Sequence, residues 1–235
     1  MKVRTSVDLE VFPPFVGFPK EGLAFLRNLK KNNNREWFAS HKDTYLEAVK
    51  LPMQSLISTL QGSMAKYAPE FEFNPRRSIF RINRDTRFSK NKDPYKTSIA
   101  AVFHPKGSWQ ESSGYYLHVE PPEIYVGGGI YMPDSAQLKK IRSSIAEHSE
   151  EFLSIVTARS FKSQFGELEG SKLSRNPIGF PKDHPMIEWL KYKQFYCGVT
   201  WGVGECTTPK FADKVVGLYR ELIPFVRFFN RALKR

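Results

Sequence analysis

The sequence has few cysteines and no long apolar run, and these absences exclude several classes of protein. Its 235 residues include two cysteines, Cys197 and Cys206, which are not in a C-x-x-C arrangement. This usage predicts reduced thiols, not a disulfide framework or a cysteine-based metal site. No apolar run approaches the roughly 20 residues of a membrane-spanning helix, and residues 1–8 lack the apolar stretch of a signal peptide. We therefore expect a cytoplasmic protein with no membrane partner.

Motifs of the common enzyme and cofactor classes are also missing. There is no Walker lysine motif and no complete G-x-G-x-x-G. His118-Val119-Glu120 has the H-x-E spacing of zinc deaminases, but the partner P-C-x-x-C is absent. The histidines show no metal-ligand spacing, and no Ser-His-Asp or Cys-His set is visible. The sequence thus predicts no metal and no cofactor, and it leaves enzymatic activity open.

The composition indicates a folded chain with a strong basic balance. Hydrophobic residues make up 40% and aromatic residues 14%, which is ample material for a packed core. No linker, repeat or low-complexity tract divides the chain, so we predict an extended arm over residues 1–17 and a single α+β domain over residues 18–235. The net charge of +12 favours anionic partners such as nucleic acid or phosphorylated molecules. The oligomeric state is left open.

Hydrophobic periodicity predicts helices at both ends and strands between them. The predicted helices cover residues 21–31, 37–64 with a kink or break at Pro52, 138–158, 183–192, and the chain from Thr208 onward with Pro224 inside. Asp134 and Gln137 have the spacing of a capping box. The predicted strands cover residues 78–83, 99–103, 115–119, 123–126 and 194–201. This order favours an α+β fold, with a central antiparallel sheet of about five strands on which N-terminal and C-terminal helices pack.

Polar chemistry is concentrated in residues 76–96, which we call the basic segment. It has eight basic residues and two acids, a net charge of +6 and thus half of the excess of the whole chain. If residues 78–84 form a strand, Phe80 and Ile82 face the core. The remainder leaves the strand end as a loop, where binding sites often lie. The predicted ligand-binding residues are Arg81, Arg84, Arg87, Lys90, Lys92, Tyr95 and Lys96.

Each of these features also has a purely structural interpretation. Asp85 is the best single candidate for a catalytic acid or base, but the neighbouring arginines should keep it ionised. Those arginines could equally pair with acids and serve only the fold. Tyr116 and Tyr125 lie on predicted strands and are candidates to stack on a base or sugar, although half-buried sheet aromatics are common. The triplet 127–129, three glycines, favours a tight turn or bulge over an anion-binding loop.

Several sequence runs resemble a known family. These runs are NNREWF at 33–38, FRINRDTRFSK at 80–90, PYKT at 94–97, GYYL at 114–117 and GGG at 127–129, followed by IR at 141–142 and DHP at 183–185. They look like the domain-of-unknown-function 2461 family of bacteria and fungi, and the similarity extends over about residues 15–233. The resemblance implies no activity, because that family has none assigned. It does direct attention to the basic segment.

Three functions remain open at the level of sequence. The chain is interpreted first as a binding module that holds a phosphate-bearing ligand, or nucleic acid, through the basic segment and the sheet. The alternatives are an enzyme acting on a small phosphorylated or carboxylated substrate, with Asp85 orienting it, and a structural or protein-interaction role in which the arginines serve the fold.

Overall fold

The computed structural model describes residues 12–107 and 112–234, so most of the predicted N-terminal arm lies outside the described residues. The N-terminal helices are α1 (Lys20–Lys31), α2 (Arg35–Ser40), α3 (Lys42–Thr44) and α4 (Leu51–Met64), with a π-helical turn over Tyr45–Lys50. Asn34 begins α2 by accepting a hydrogen bond from the Trp37 N–H. The wide turn precedes Pro52, which has no N–H to continue an α-helical pattern. The predicted kink or break at Pro52 therefore takes the form of a π turn.

A four-stranded antiparallel sheet follows. Its strands are β1 (Ile99–Phe103), β2 (Gly114–Glu120), β3 (Glu123–Ile130) and β4 (Phe195–Gly202), in the spatial order β1-β2-β3-β4. The other elements are α5 (Ser135–Glu147), α6 (Ser149–Val156), α7 (Arg159–Phe165), α8 (Ile187–Leu190), a 3₁₀ turn (Val203–Thr207) and α9 (Lys210–Lys234). The predicted α+β class is confirmed, but the predicted count of about five strands is wrong. Residues 78–83 form isolated bridges instead of a fifth strand, because their hydrogen bonds to β1 stop after Ala100.

The two faces of the sheet have different surroundings. Side chains that alternate along the strands, including Leu117, Val126 and Cys197, are fully buried in the core beside α9. The register places a second set on the opposite side of the sheet, where each member is half-buried. We call this side the outer face and define it by Tyr116, His118, Tyr125 and Tyr196.

Local sequence signals are confirmed more often than those that depend on distant partners. Asp134 and Gln137 form the predicted capping box with both of its hydrogen bonds. The helix predicted to reach residue 158 divides at His148, which ends α5 and begins α6. The glycines at 127–129 lie inside β3, paired with β2 and β4, so the favoured turn or bulge is wrong. Cys197 and Cys206 are both free and buried.

In the part of the chain that the structure describes, no helix combines the length and the apolar character needed to span a membrane.

Candidate functional site

The basic segment runs beside β1 and then folds back on itself. Two backbone hydrogen bonds join it to β1, from the Phe80 N–H to the Ala100 carbonyl (2.9 Å) and from the Val102 N–H to the Ser78 carbonyl (3.0 Å). Two more close a hairpin, from the Arg84 N–H to the Pro94 carbonyl (2.9 Å) and from the Lys96 N–H to the Ile82 carbonyl (2.8 Å). Residues 85–93 therefore project as a loop with a fixed base, which we call the tip loop.

The backbone of the basic segment thus changes its hydrogen-bond partner from β1 to its own hairpin, and this change alters where the side chains of the segment point. Ile82 is buried, as expected, but Phe80 was predicted to face the core and is 38% exposed. Its ring lies 6.4 Å from the ring of Tyr116, on the outer face. A regular strand would have placed Phe80 and Ile82 on the same side. The segment leaves β1 between them, and the regular alternation is lost.

The base of the tip loop is held by a residue 62 positions earlier in the chain. The Asn33 side chain donates from Nδ2 to the Tyr95 carbonyl and accepts from the Tyr95 N–H at Oδ1, both at 3.0 Å. The Tyr95 ring stacks on Phe38 with centroids 4.1 Å apart and is 9% exposed. Tyr95, one of the predicted ligand-binding residues, thus anchors the loop and presents little surface to a ligand.

Asp85 and Arg87 form a closed pair within the tip loop. Arg87 donates from Nε to Oδ1 (3.0 Å) and from Nη2 to Oδ2 (2.7 Å), and its backbone N–H also reaches Oδ1 (3.2 Å). The side-chain hydrogen bonds from Arg87 are the main reason that the pKa of Asp85 is lowered. With both oxygens engaged and the carboxylate ionised, Asp85 is poorly suited to act as a general acid or base.

Two further cations are engaged in shaping the loop. Arg84 donates from Nη1 to the Asp93 carbonyl, and Lys92 donates from Nζ to the Thr86 carbonyl, both at 3.0 Å. Because these bonds cross the loop from one side to the other, they hold residues 85–93 together. Lys90 is exposed on the same loop. The structural interpretation of the arginine motif is therefore well supported for Arg84, Arg87 and Lys92.

Arg81 and Lys96 are arranged differently, because they lie beside each other. The Lys96 Nζ lies 5.0 Å from the centroid of the Phe80 ring. The pKa of Lys96 is lowered, first by its partial burial and then by the positive charge of Arg81. Within residues 12–107 and 112–234, neither side chain forms a salt bridge or donates a hydrogen bond. This corner of the outer face carries two mutually repelling cations. Neither forms a salt bridge with a described residue, and Arg81 has only a longer-range attraction to the Asp85 carboxylate, which Arg87 binds.

The outer face beside this corner is a connected set of aromatic and polar groups. The Tyr116 hydroxyl lies 3.2 Å from His118 Nδ1, and the His118 and Tyr125 rings stack 5.8 Å apart. Tyr125 donates a hydrogen bond of 2.9 Å to Glu169 Oε1. Its ring fits closely over β4 because residue 198 is glycine, where a Cβ would come within 2.5 Å of the Tyr125 ring. Small residues on neighbouring strands thus allow the rings to lie flat on the sheet.

Tyr116 and His118 of this face are uncharged at neutral pH. Burial lowers the pKa of His118, against the opposing effect of Glu120 and Glu123. Burial is also the main reason that the pKa of Tyr116 rises to about 12. The carboxylates accept hydrogen bonds, since Glu120 Oε1 is 2.5 Å from the Thr97 hydroxyl. The face therefore offers ring surfaces and neutral hydrogen-bonding groups.

The depressed pKa of His118 predicts that acid destabilises the fold. The unfolded chain binds a proton near the ordinary histidine value of 6.5, whereas folded His118 binds one only at lower pH. Stability should therefore decline as the pH falls below about 6.5. Urea unfolding at pH 8 and at pH 5.5 should show a smaller decline for His118→Gln than for the unmodified protein. An identical decline in both proteins would contradict the assignment.

No group of histidine, cysteine and carboxylate side chains able to hold a metal ion occurs among the described residues.

Three residues of the candidate site were not predicted from the sequence to belong to it, namely Phe80, His118 and Glu169. Period-two alternation in β2 could have placed His118 beside Tyr116, but Glu169 comes from a loop after α7 and carries no local signal.

Comparison with protein families matches residues 21–228 to a family described as a conserved hypothetical protein, DUF2461. The chain belongs to this family. The match to DUF2461 covers all of the elements from α1 to most of α9, including the basic segment and the outer face. Searches of curated proteins and of solved structures found no match. The description of the DUF2461 family names no activity.

Proposed function

We propose that this protein binds a phosphate-bearing ligand at the corner where the basic segment meets the outer face. Arg81 and Lys96 hold the phosphate, and Phe80 and Tyr116 lie beside the remainder of the ligand. The observation that carries the proposal is a pair of mutually repelling cations with no carboxylate of the described residues at salt-bridge distance, one of them partly withdrawn from water.

Holding Arg81 and Lys96 close together costs free energy. Two like charges held together repel each other, and partial burial of Lys96 adds a desolvation cost. A phosphate would relieve both, since its oxygens accept from the ammonium and from the planar arginine fork. The nearby carboxylates already have hydrogen-bond partners, since Glu120 accepts from Thr97 and Glu169 accepts from Tyr125.

The enzyme interpretation has less support. Asp85 is paired with Arg87 on an exposed loop. It lines neither the cavity of about 230 Å³ beside Trp189 nor that of about 420 Å³ beside Arg77. The structural interpretation accounts for Arg84, Arg87 and Lys92, but among the described residues it gives Arg81 and Lys96 neither a salt bridge nor a hydrogen bond.

Calorimetric titration with AMP and with adenosine tests the proposal. AMP should bind more tightly than adenosine, because only AMP offers a phosphate to the two cations. The double variant Arg81→Gln/Lys96→Gln should lose at least about tenfold in AMP affinity, as expected for the loss of charge-assisted hydrogen bonds. Adenosine affinity should not change.

A matched control removes the same charge elsewhere. Lys139 and Arg159 are exposed on α5 and α7, so Lys139→Gln/Arg159→Gln alters the net charge equally without touching the corner. This control should bind AMP like the unmodified protein. Equal losses in both double variants would show a general charge effect and would overturn the proposal, as would AMP binding that is no tighter than adenosine binding.

A further inference from the structure

We infer that the ligand is a single-stranded nucleic acid that extends from the tip loop across the outer face. This inference rests on the proposed function, since it places one phosphate of the strand at Arg81 and Lys96. It adds a second contact region, the tip loop, and a class of partner in which bases stack on rings and phosphates follow the cations.

Phe88 provides the first reason. Its side chain is 95% exposed at the end of the tip loop, and the Arg87 guanidinium lies 5.8 Å from the centroid of its ring. Phe88 is four residues from Arg84, at the fixed base of the loop, so it is held within about 14 Å of that base. An aromatic ring presented to solvent on a braced loop among cations is suited to stack on a base.

The outer face provides a second set of rings. The centroid distances are 6.4 Å from Phe80 to Tyr116, 6.2 Å from Tyr116 to Tyr125 and 5.8 Å from Tyr125 to His118. Single-stranded nucleic acids are commonly bound on such sheets, because every base offers a flat face to an aromatic side chain. A single nucleotide would use only part of this series and would leave Phe88 without a partner.

The distribution of charge agrees with a polymer that follows one edge of the face. The basic segment has a net charge of +6, and Lys90 extends the exposed positive charge from Arg81 and Lys96 into the tip loop. The carboxylates Glu120 and Glu169 lie on the face itself, where N–H groups of bases can donate to them. Phosphates would thus lie along the basic segment and bases over the rings.

A single strand fits better than a duplex. The rings of the outer face lie on a sheet, and base faces inside a duplex are already stacked on one another and hidden from side chains. Duplex binding would have to rely on the cations alone. We therefore expect weaker binding of double-stranded than of single-stranded nucleic acid.

Fluorescence anisotropy with labelled oligonucleotides tests the inference on the whole chain. The probes are oligothymidylate and oligouridylate of about 20 nucleotides, and a duplex of the same length. Single strands should bind at least about tenfold more tightly than the duplex and than AMP. With Arg81, Lys90 and Lys96 on phosphates, the logarithm of the affinity should fall with the logarithm of salt with a slope of about −2.

Phe88→Ala separates this inference from the proposed function. It should weaken oligonucleotide binding by about 5- to 150-fold, the range for loss of one stacked base, and leave AMP binding unchanged. Phe88 is almost fully exposed, so the substitution should not disturb folding. Ile178→Ala, which removes an equally exposed apolar side chain from a different loop, should change neither affinity.

The outcomes distinguish the two ideas. If AMP binds and the single strands bind no better than AMP, the polymer inference is wrong and the phosphate site remains. If the duplex binds as well as the single strands, or Phe88→Ala has no effect, stacking does not drive binding and the inference is also wrong. If neither AMP nor oligonucleotides bind at low salt, both proposals are wrong.

Discussion

Replacement of Gly22 by alanine is expected to lower the midpoint of thermal unfolding by at least about 6–12 °C. Gly22 lies in α1 and is buried against the π-helical turn. A Cβ at this position would overlap the carbonyl oxygen of Ala48 and lie 2.7 Å from its carbon. Because the obstructing atoms are backbone, no side-chain rotation can relieve the clash, and we expect a loss of at least about 3 kcal/mol.

The close approach has a cause in the chain itself. In a regular α-helix the Ala48 carbonyl would accept a hydrogen bond from residue 52, but Pro52 has no N–H. The chain widens instead, and the Leu51 N–H reaches back to the Leu46 carbonyl. Gly22 packs against the Ala48 carbonyl, and only a residue without a side chain can do so.

Gly62→Ala is the matched control for this prediction. Gly62 is exposed in α4, and a Cβ there would meet no atom within 4 Å. Alanine is the better helix former by about 1 kcal/mol, so the midpoint should stay unchanged or rise. Differential scanning calorimetry of the two variants measures both effects. A small loss for Gly22→Ala would mean that α1 can move away from the π turn.

Replacement of Asn33 by alanine should cost about 2–4 kcal/mol and loosen the basic segment. The change removes both hydrogen bonds to the Tyr95 backbone and leaves a buried N–H and carbonyl without partners. Since Tyr95 lies at the base of the tip loop, the amides of Arg84 and Lys96 should exchange faster with solvent. Urea unfolding measures the stability, and hydrogen exchange measures the loosening.

The neighbouring asparagines provide a graded series. Asn32 makes one exposed hydrogen bond, to the Asn28 carbonyl, so Asn32→Ala should cost less than about 0.5 kcal/mol. Asn34 caps α2, so Asn34→Ala should cost about 1 kcal/mol without altering exchange at Arg84 and Lys96. If all three variants lose similar stability, the two hydrogen bonds between Asn33 and the Tyr95 backbone do not hold the tip loop.

The sequence was most informative where structure depends on near neighbours. The capping box of Asp134 and Gln137 was predicted correctly because both partners lie within one helical turn. Strands β1 to β4 were found from their apolar and aromatic residues, although β3 continues four residues beyond the predicted end at Val126. That extension contains glycines, whose lack of side chains weakens any strand signal.

Prediction was weakest where distant segments decide the outcome. Residues 78–83 have the composition of a strand, but whether they pair fully with β1 depends on the hairpin that begins at Arg84. The glycines of β3 suggest a turn when only the sequence is considered. The structure shows that they lie in a strand, where Tyr125 packs over Gly198 of β4. The burial of Tyr95 follows from Asn33, 62 residues away.

The candidate site was only partly visible for the same reason. Its charge could be read from composition, and the pairing of the arginines with acids was foreseen as an alternative. Which cations form salt bridges depends on loop geometry, since Arg87 forms one with Asp85 while Arg81, six residues earlier, forms none with a described residue. Phe80 and Glu169 joined the site only after the fold had brought them to the outer face.

The irregular course of the basic segment also bears on whether the edge of the sheet can pair with a strand from another molecule. An outer strand normally exposes a row of unpaired N–H and carbonyl groups that can capture a strand from another molecule. Here Ser78 and Phe80 occupy such groups on β1, and the Glu169 N–H bonds to the Tyr196 carbonyl on β4. The first segment then turns into its own hairpin at Arg84, and the second follows only residues 191–196, so neither is a regular strand. Part of each outer edge of the sheet is thus covered by irregular chain, which disfavours growth into fibrous aggregates.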